Sequence, residues 1–489
     1  MERTAMIFSM LCLCAGAAVA QECVEVSEDG RTAAAFAPSQ DGGQGWAEEG
    51  VGIPFSMTPA WSLSLRRQVG AVRIADLNND GKNDLFVGCF ISNSFPPYTD
   101  WEDMIFYNTG DAQAPLPAAP GWVSADEVHT GDAQIGDING DGFPDVVAIT
   151  GGTSFSPPRI YFGSATGPST SPGWISAPPT AGWATGGCLF DADGDGDLDL
   201  FTTNQGVSPN ANRPMYVHSN TGSTLETTPS WQSAESSIQN TGAAADFDGD
   251  GDLDVAVSKW VNFESGVYRN AGTALETAMA WGVGSTGTDR GVAWGDIDGD
   301  GDPDLALGVG GAGTRVWRND GGALVPSGYE SDPPFNGHQE IALVDVDNDG
   351  DPDLGEVHFS DGRTHWYLND AGSLAVTPSW TYDATTVANA IAVGDLNGDG
   401  WKDLAIGFSG DVSVRVFLAI PPVPACDSID FNGDGLFPDN QDLQDFLDVF
   451  GGGACSTGTC GDLDFNNDGL FPDNLDLEAF FSVFGGGAC

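Results

Sequence analysis

The chain is short of positive charge. Sixteen Lys and Arg stand against 71 Asp and Glu in 489 residues, giving a formal charge of −55. Lysine is reduced to Lys82, Lys259 and Lys402. Such a surface repels nucleic acid and anionic membranes, so neither is expected as a partner. Histidine is scarce too, with only His129, His218, His338, His358 and His365. No G-x-S-x-G, H-E-x-x-H or P-loop pattern occurs, so the chemistries those motifs carry have no foothold here. Past the N-terminus no apolar run is long enough to span a bilayer.

The N-terminus itself reads as an export signal over residues 1–20. Arg3 precedes an apolar stretch from Ala5 to Val19, and Ala18-Val19-Ala20 stands before Gln21 as a small-residue cleavage site. The expected location is secreted, extracellular or at the cell surface, where disulfides persist. No membrane span is expected after signal removal. Residues 21–50 have little pattern and read as a flexible leader.

What the chain has in quantity is aspartate in a fixed frame. The cleanest copy is AADFDGDGDLDVAV, Ala244 to Val257, and seven stretches read D-x-[DN]-x-D-G-x-x-D. Positions 1, 3, 5 and 9 are filled by Asp76, Asn78, Asp80 and Asp84, then by Asp137, Asn139, Asp141 and Asp145. The third and fourth copies use Asp191, Asp193, Asp195 and Asp199, then Asp246, Asp248, Asp250 and Asp254. The fifth and sixth use Asp296, Asp298, Asp300 and Asp304, then Asp345, Asp347, Asp349 and Asp353. The seventh uses Asp395, Asn397, Asp399 and Asp403. Ca²⁺ takes about six to eight oxygens at roughly 2.3–2.6 Å, and side chains at alternate positions of a tight loop can converge on it. Glycine at position 6 supplies the positive φ that a side chain resists. A polar hairpin turn would use the same residue types; seven repeats of one frame favour the ion. Short apolar runs enter and leave each loop, such as AVRIAD and DLFVG, and no amphipathic helix follows. These loops therefore join strands and are not EF-hands.

The loops recur at intervals of 49 to 61 residues between about Val51 and Ile420. After each comes a second signal, as in MIFYNTG, GVYRNAG and TRVWRNDG, and in several repeats a third, TPSW or AMAW. Four strands per repeat make a propeller blade, with the aromatics as inter-blade core. The seventh repeat lacks its Trp strand, and SMTPAWSLS around Trp61 is expected to supply it from the other end.

GDINGDGFPDVVAI, GDIDGDGDPDLALG and GDLNGDGWKDLAIG resemble the FG-GAP/VCBS repeats of integrin-α-like propellers, the VCBS form being the closer. The resemblance implies an all-β, seven-bladed β-propeller over residues 51–420 with about seven calcium sites. It says little about the ligand.

Pro421 to Pro424 open a stiff linker, 421–425. Beyond it a different unit repeats at an offset of 34 residues, Cys426–Cys455 and Cys460–Cys489. Leu443, Phe446, Leu447 and Phe450, and Leu477, Phe480, Phe481 and Phe484, follow helical spacing and are expected to form a shared core. Asp430, Asn432 and Asp434, then Asp464, Asn466 and Asp468, lead into these helices. Residues 426–489 thus resemble a cysteine-framed dockerin, a small α-helical module with two calcium loops that docks on a cohesin-like partner at the cell surface. Asp442 and Asp476 lie one place beyond the dockerin closing position, so Asp439 and Asp473 remain competitors. The framing suggests Cys426 pairing with Cys455 and Cys460 with Cys489. Cys89 and Cys188 are expected as buried thiols, with Cys23 left over.

His338, Glu340, Glu356, His358 and His365 gather around the sixth loop, where ordinary strand residues compete with a catalytic reading. The functional expectation is an exported calcium-binding propeller serving as a binding or adhesion module for a protein or glycan. The alternative is a carbohydrate-active enzyme, a polysaccharide lyase or glycoside hydrolase, on the same scaffold. A lyase acting on acidic sugar needs a basic cleft, which this composition does not favour.

Overall fold

The computed structural model describes residues 52–90, 102–151, 156–177, 184–204, 212–260, 263–284, 287–332, 338–359, 362–384, 386–420, 431–432, 440–457, 460–461, 463, 465 and 474–484. The signal, leader and linker segments lie outside them. The chain divides into two compact units between Ile420 and Pro421.

The first unit is all β. Its strands are β1 (Trp61–Leu63), β2 (Arg67–Ala75), β3 (Asp84–Phe90), β4 (Met104–Phe106), β5 (Trp122–Val123), β6 (Thr130–Gly136), β7 (Asp145–Thr150), β8 (Arg159–Tyr161), β9 (Trp174–Ile175) and β10 (Ala184–Phe190). They continue with β11 (Asp199–Asn204), β12 (Tyr216–His218), β13 (Trp231–Gln232), β14 (Gln239–Ala245), β15 (Asp254–Lys259), β16 (Gly266–Tyr268), β17 (Trp281–Gly282), β18 (Val292–Gly295), β19 (Asp304–Gly308) and β20 (Thr314–Asn319). The last are β21 (Leu324–Glu330), β22 (His338–Val344), β23 (Asp353–His358), β24 (Arg363–Tyr367), β25 (Asn369–Asp370), β26 (Ser373–Leu374), β27 (Trp380–Asp383), β28 (Val387–Gly394), β29 (Asp403–Gly410) and β30 (Val414–Phe417).

Five four-stranded antiparallel sheets stand separately among the described residues: β6–β9, β10–β13, β14–β17, β18–β21, and β22, β23, β24 with β27. The expectation of seven separate blades is corrected here. The remaining long strands share one eight-stranded sheet, in which β2 pairs with β29 through Arg67–Gly410 and Gln68–Ser409. The cause is length. β2 has 9 residues and β29 has 8, against 7 and 6 in β6 and β7, so their ends reach one another. The N-terminal Trp61 strand does close the sheet, with β1 antiparallel to β30 from Trp61–Val416 to Leu63–Val414.

The first strand of each repeat carries small residues where neighbouring sheets converge. A Cβ on Gly70 would lie 2.2 Å from the Thr130 carbonyl oxygen of the next sheet, so only glycine fits. A register shift recurs in these strands, between Thr130 and Asp132 and between His338 and Glu340 among others, and such bulges re-aim side chains. Here they accompany a buried triad. Arg73 Nη2 donates to Asp132 Oδ1 at 2.6 Å and Nη1 to Glu340 Oε1 at 3.5 Å, while Ile391 N donates to Glu340 Oε2 at 2.8 Å. Trp side chains join sheets further out: Trp174 Nε1 donates to Leu225 O, Trp231 Nε1 to Leu275 O and Trp380 Nε1 to Phe55 O.

The second unit contains α1 (Asn440–Phe450) and α2 (Asn474–Phe484). Six of the eight expected helix-face residues, Leu443, Phe446, Phe450, Leu477, Phe480 and Phe484, gather in its core. Phe446 and Phe480 stack at 3.9 Å, but Phe431 and Phe465, from outside the helices, complete the cluster. Leu447 and Phe481 are left 41% and 46% exposed. Cysteine pairing is corrected as well: Cys455 bonds Cys460. The short connection turns back because Ser456 N and Oγ both donate to Asp445 and Thr457 Oγ1 donates to Asn432 O, which brings the two cysteines together. Cys426 and Cys489 lie outside the described residues. Cys89 and Cys188 are buried free thiols, as expected, and burial pushes Cys89 up to about 12. No helix among the described residues is long and apolar enough to cross a membrane.

Candidate metal sites

Each D-x-[DN]-x-D-G-x-x-D stretch is the hairpin between the first two strands of its repeat. In the fourth loop Asp246 Oδ1 accepts from Gly249 N and Asp250 N, and Oδ2 from Gly251 N. Asp250 Oδ1 accepts from Asp252 N. The first loop repeats this, with Asp76 receiving Asp80 N and Gly81 N. Gly251 at position 6 has φ +95°, as the frame requires. Position 4 is also left-handed: Gly249 has φ +72°, Asn79 +57° and Asn348 +60°. The alternation of Gly and Asn there was a signal the frame had left blank.

Position 9 is a staple in all seven loops. Asp254 Oδ2 accepts from Phe247 N at 3.0 Å and Oδ1 from Asn270 N at 2.6 Å. Asp84, Asp145, Asp199, Asp304, Asp353 and Asp403 each accept the corresponding pair of backbone donors. All seven side chains are fully buried. Burial pushes Asp84, Asp145 and Asp304 up to about 6, Asp199, Asp254 and Asp403 to about 7, and Asp353 to about 8.

Position 3 divides the loops. Where it is Asn, its oxygen is used internally: Asn78, Asn139 and Asn397 accept from Asp80 N, Asp141 N and Asp399 N. Where it is Asp, one buried oxygen has no hydrogen-bond partner: Oδ1 of Asp193, Asp248, Asp298 and Asp347, joined by Oδ1 of Asp345. These same four loops bring three carboxylates together. In Asp191–Asp193–Asp199, Asp246–Asp248–Asp250, Asp296–Asp298–Asp300 and Asp345–Asp347–Asp353, one oxygen of each lies within 4.8 Å of the others. Burial and the neighbouring Asp349 and Asp345 charges push Asp347 up to about 7. Buried, unpartnered oxygens converging in this way fit a hard cation that takes only oxygen ligands. Cations of the chain temper three loops, two of them among these four. Lys82 pairs with Asp80 at 2.8 Å, Arg269 with Asp248 at 2.8 Å and Arg318 with Asp298 at 3.3 Å.

In the second unit Asn432, Asp442 and Asp476 are buried, and Asn432 Nδ2 donates to Asp445, a residue the frame had not singled out. Asp430, Asp434, Asp464, Asn466 and Asp468 lie outside the described residues. Of the histidine group around the sixth loop, Glu356, His358 and His365 come together, with the two imidazole rings 4.9 Å apart, and Glu340 does not join them. Glu340 turns to Arg73, while Glu356 accepts from Ser331 Oγ and Tyr367 OH beside His358 Nε2 at 3.2 Å. His365 Nδ1 meets Thr381 Oγ1, and Glu356, His358 and His365 are all buried.

A further recurrence went unread in the sequence: the Asn in YNTG, SNTG, RNAG, RND and LND. The Nδ2 of Asn108, Asn220, Asn270, Asn319 and Asn369 donates to the position-2 carbonyl of the preceding loop, at Leu396, Ile138, Ala192, Phe247 and Ile297.

The FG-GAP-like repeat family matches residues 76–148, 137–202 and 300–355, which hold four of the seven loops. The chain carries FG-GAP-like repeats. No curated protein matches the sequence. Among solved structures the chain is similar to BBS1N, crystallised in complex with ARL6DN and soaked with lead. Identity is 11%, the TM-score 0.51, and the match covers 76% of this chain and 98% of that one. The same complex soaked with mercury matches with 10% identity, TM-score 0.49, and coverage of 76% and 97%. The FG-GAP-like repeats thus build a β-propeller.

Proposed function

We propose that the chain is an exported, calcium-dependent β-propeller that binds a protein or glycan ligand and is anchored through residues 426–489. One observation carries the calcium reading: the unpartnered buried oxygens of Asp193, Asp248, Asp298, Asp345 and Asp347 sit in the loops where three carboxylates converge. When bound, calcium supplies the positive charge that holds such carboxylates together. The propeller's own residues pre-shape each loop, through the position-1 Asp and the position-9 staple. Asp76, Asp137 and Asp395 head the loops with Asn at position 3, which are proposed as weaker sites.

A protein ligand is supported by the complex in which the similar propeller was crystallised. Equivalent exposed side chains, Leu447 and Phe481, support a partner-binding surface on the C-terminal unit. The test is thermal melting of the mature protein in calcium and after chelation. Calcium is expected to add about 2.7 kcal/mol per site at a hundredfold excess over the dissociation constant. An unchanged melt with the metal verified as gone defeats the reading.

A further inference from the structure

The five asparagines do more than brace one sheet on the next. Asn319 joins two loops with one side-chain amide: Nδ2 donates to Phe247 O at position 2 of the preceding loop and to Pro303 O at position 8 of its own. Its backbone N donates to the position-9 carboxylate, Asp304, of its own loop. Asn108, Asn220 and Asn369 make the same double reach, to Asn83 O, Leu198 O and Pro352 O in their own loops. The turn that follows packs on positions 3 and 4 of the preceding loop. A Cβ on Gly322 would lie 3.0 Å from Asp248 Cβ, and one on Gly372 would lie 3.1 Å from Asp298 Cα. Position 2 lies between two ligand-bearing residues, so holding its carbonyl fixes the peptides that aim them.

Two repeats lack the asparagine. Gly163 and Ala419 stand in its place. Their N–H groups still donate to Asp145 and Asp403, but they have no amide to reach back. The joint is therefore missing between the loops at 76 and 137, and between those at 345 and 395, where only the exposed Asn348 Nδ2 reaches across, to Gly400 O at 3.4 Å.

We infer that Asn108, Asn220, Asn270, Asn319 and Asn369 are positioning residues that couple neighbouring calcium loops, dividing the seven into a linked run of five and a linked pair. The run comprises the loops at 137, 191, 246, 296 and 345; the pair comprises those at 395 and 76. This rests on the calcium reading above. Occupancy of one loop orders the asparagine turn against it, and the same turn holds the position-9 carboxylate of the next loop. By linkage the effect is reciprocal.

The test is hydrogen exchange read by mass spectrometry on the full mature chain, stripped of metal and titrated with calcium. In the wild type, each linked loop gains protection at a characteristic calcium midpoint. Asn319→Ala is expected to raise the midpoint of residues 246–254, in the preceding sheet, by about tenfold. It leaves residues 76–84 and 395–403 unmoved. Asn220→Ala does the same to residues 137–145. Asn319→Asp keeps the side-chain shape but loses the donor, and is expected to reproduce the alanine pattern if alanine folds poorly. An unmoved midpoint at 246–254, or all seven loops moving together, overturns the coupling. A wild type with no calcium-dependent protection in any loop defeats the calcium reading itself, before any variant is compared.

Discussion

In four of the loops position 3 and position 9 carry the same residue type and do different work. Asp248 Oδ1 has no protein partner, whereas both oxygens of Asp254 are held by backbone N–H groups. Asp254→Asn is therefore expected to destabilise the protein even without calcium, by about 1–3 kcal/mol, because the amide turns a donor toward a buried donor. Asp248→Asn is expected to lose the calcium increment and, in the metal-free protein, only the partly exposed ion pair with Arg269, a cost of about 0–1 kcal/mol. Urea melts of both variants with and without calcium distinguish the two roles. Asp103 gives a separate test by pH. It is fully buried between Cys89 N and Thr130 Oγ1, and burial raises it to about 7. The folded chain then holds a proton that the unfolded chain has released between its ordinary value of 3.8 and about 7. Stability contributed by this group is full below that window and falls as pH rises through it. Asp103→Asn is expected to flatten the slope of stability between pH 4 and about 7; an unchanged slope contradicts the assignment.

At the scale of elements, the closing strand is the most exposed dependency. β1 covers the edge of β30, and Phe55 packs in the cluster with Trp366, Trp380 and Phe417. Deleting residues 51–66 is expected to lower the melting temperature of the whole propeller and to promote self-association through the bared edge. Peptide mapping without reduction is expected to recover Cys455 linked to Cys460. The closing strand was legible because SMTPAWSLS matches the TPSW strands and the last repeat lacks one. The loops were legible because a metal frame is local, within nine residues. The asparagine joints were not, since each acts on a loop of another repeat 72 to 288 residues away in sequence. Helical spacing placed Leu447 and Phe481 in the core because it sees one helix at a time. Phe431 and Phe465, from outside the helices, join the core instead, and nothing in the spacing names those partners.

Across the whole propeller, two kinds of fastening hold the sheets. Asparagine joints link the five separate sheets to one another, and Asn108 works within the eight-stranded sheet. Where the eight-stranded sheet meets the other five, that joint is missing on both sides. There the Arg73 triad takes over, with Asp132 on one side and Glu340, through Ile391 N, on the other. Arg73→Met leaves two buried carboxylates without their cation and is expected to cost about 3–5 kcal/mol. The triple change Arg73→Met, Asp132→Asn and Glu340→Gln is expected to recover part of that loss in a denaturant melt. The pairing of β2 with β29 was hidden from the sequence because repeat counting treats every repeat alike, while these two strands outgrow theirs. The proposal that the acidic loops hold calcium rests on the convergent carboxylates. The most direct measurement is equilibrium dialysis of the chelator-stripped mature protein against calcium, counting ions bound per chain. The account predicts at least four bound ions, one for each convergent carboxylate group, and one fewer in Asp347→Asn. Binding no greater than for a non-binding control protein, with the chain shown to be folded, contradicts it.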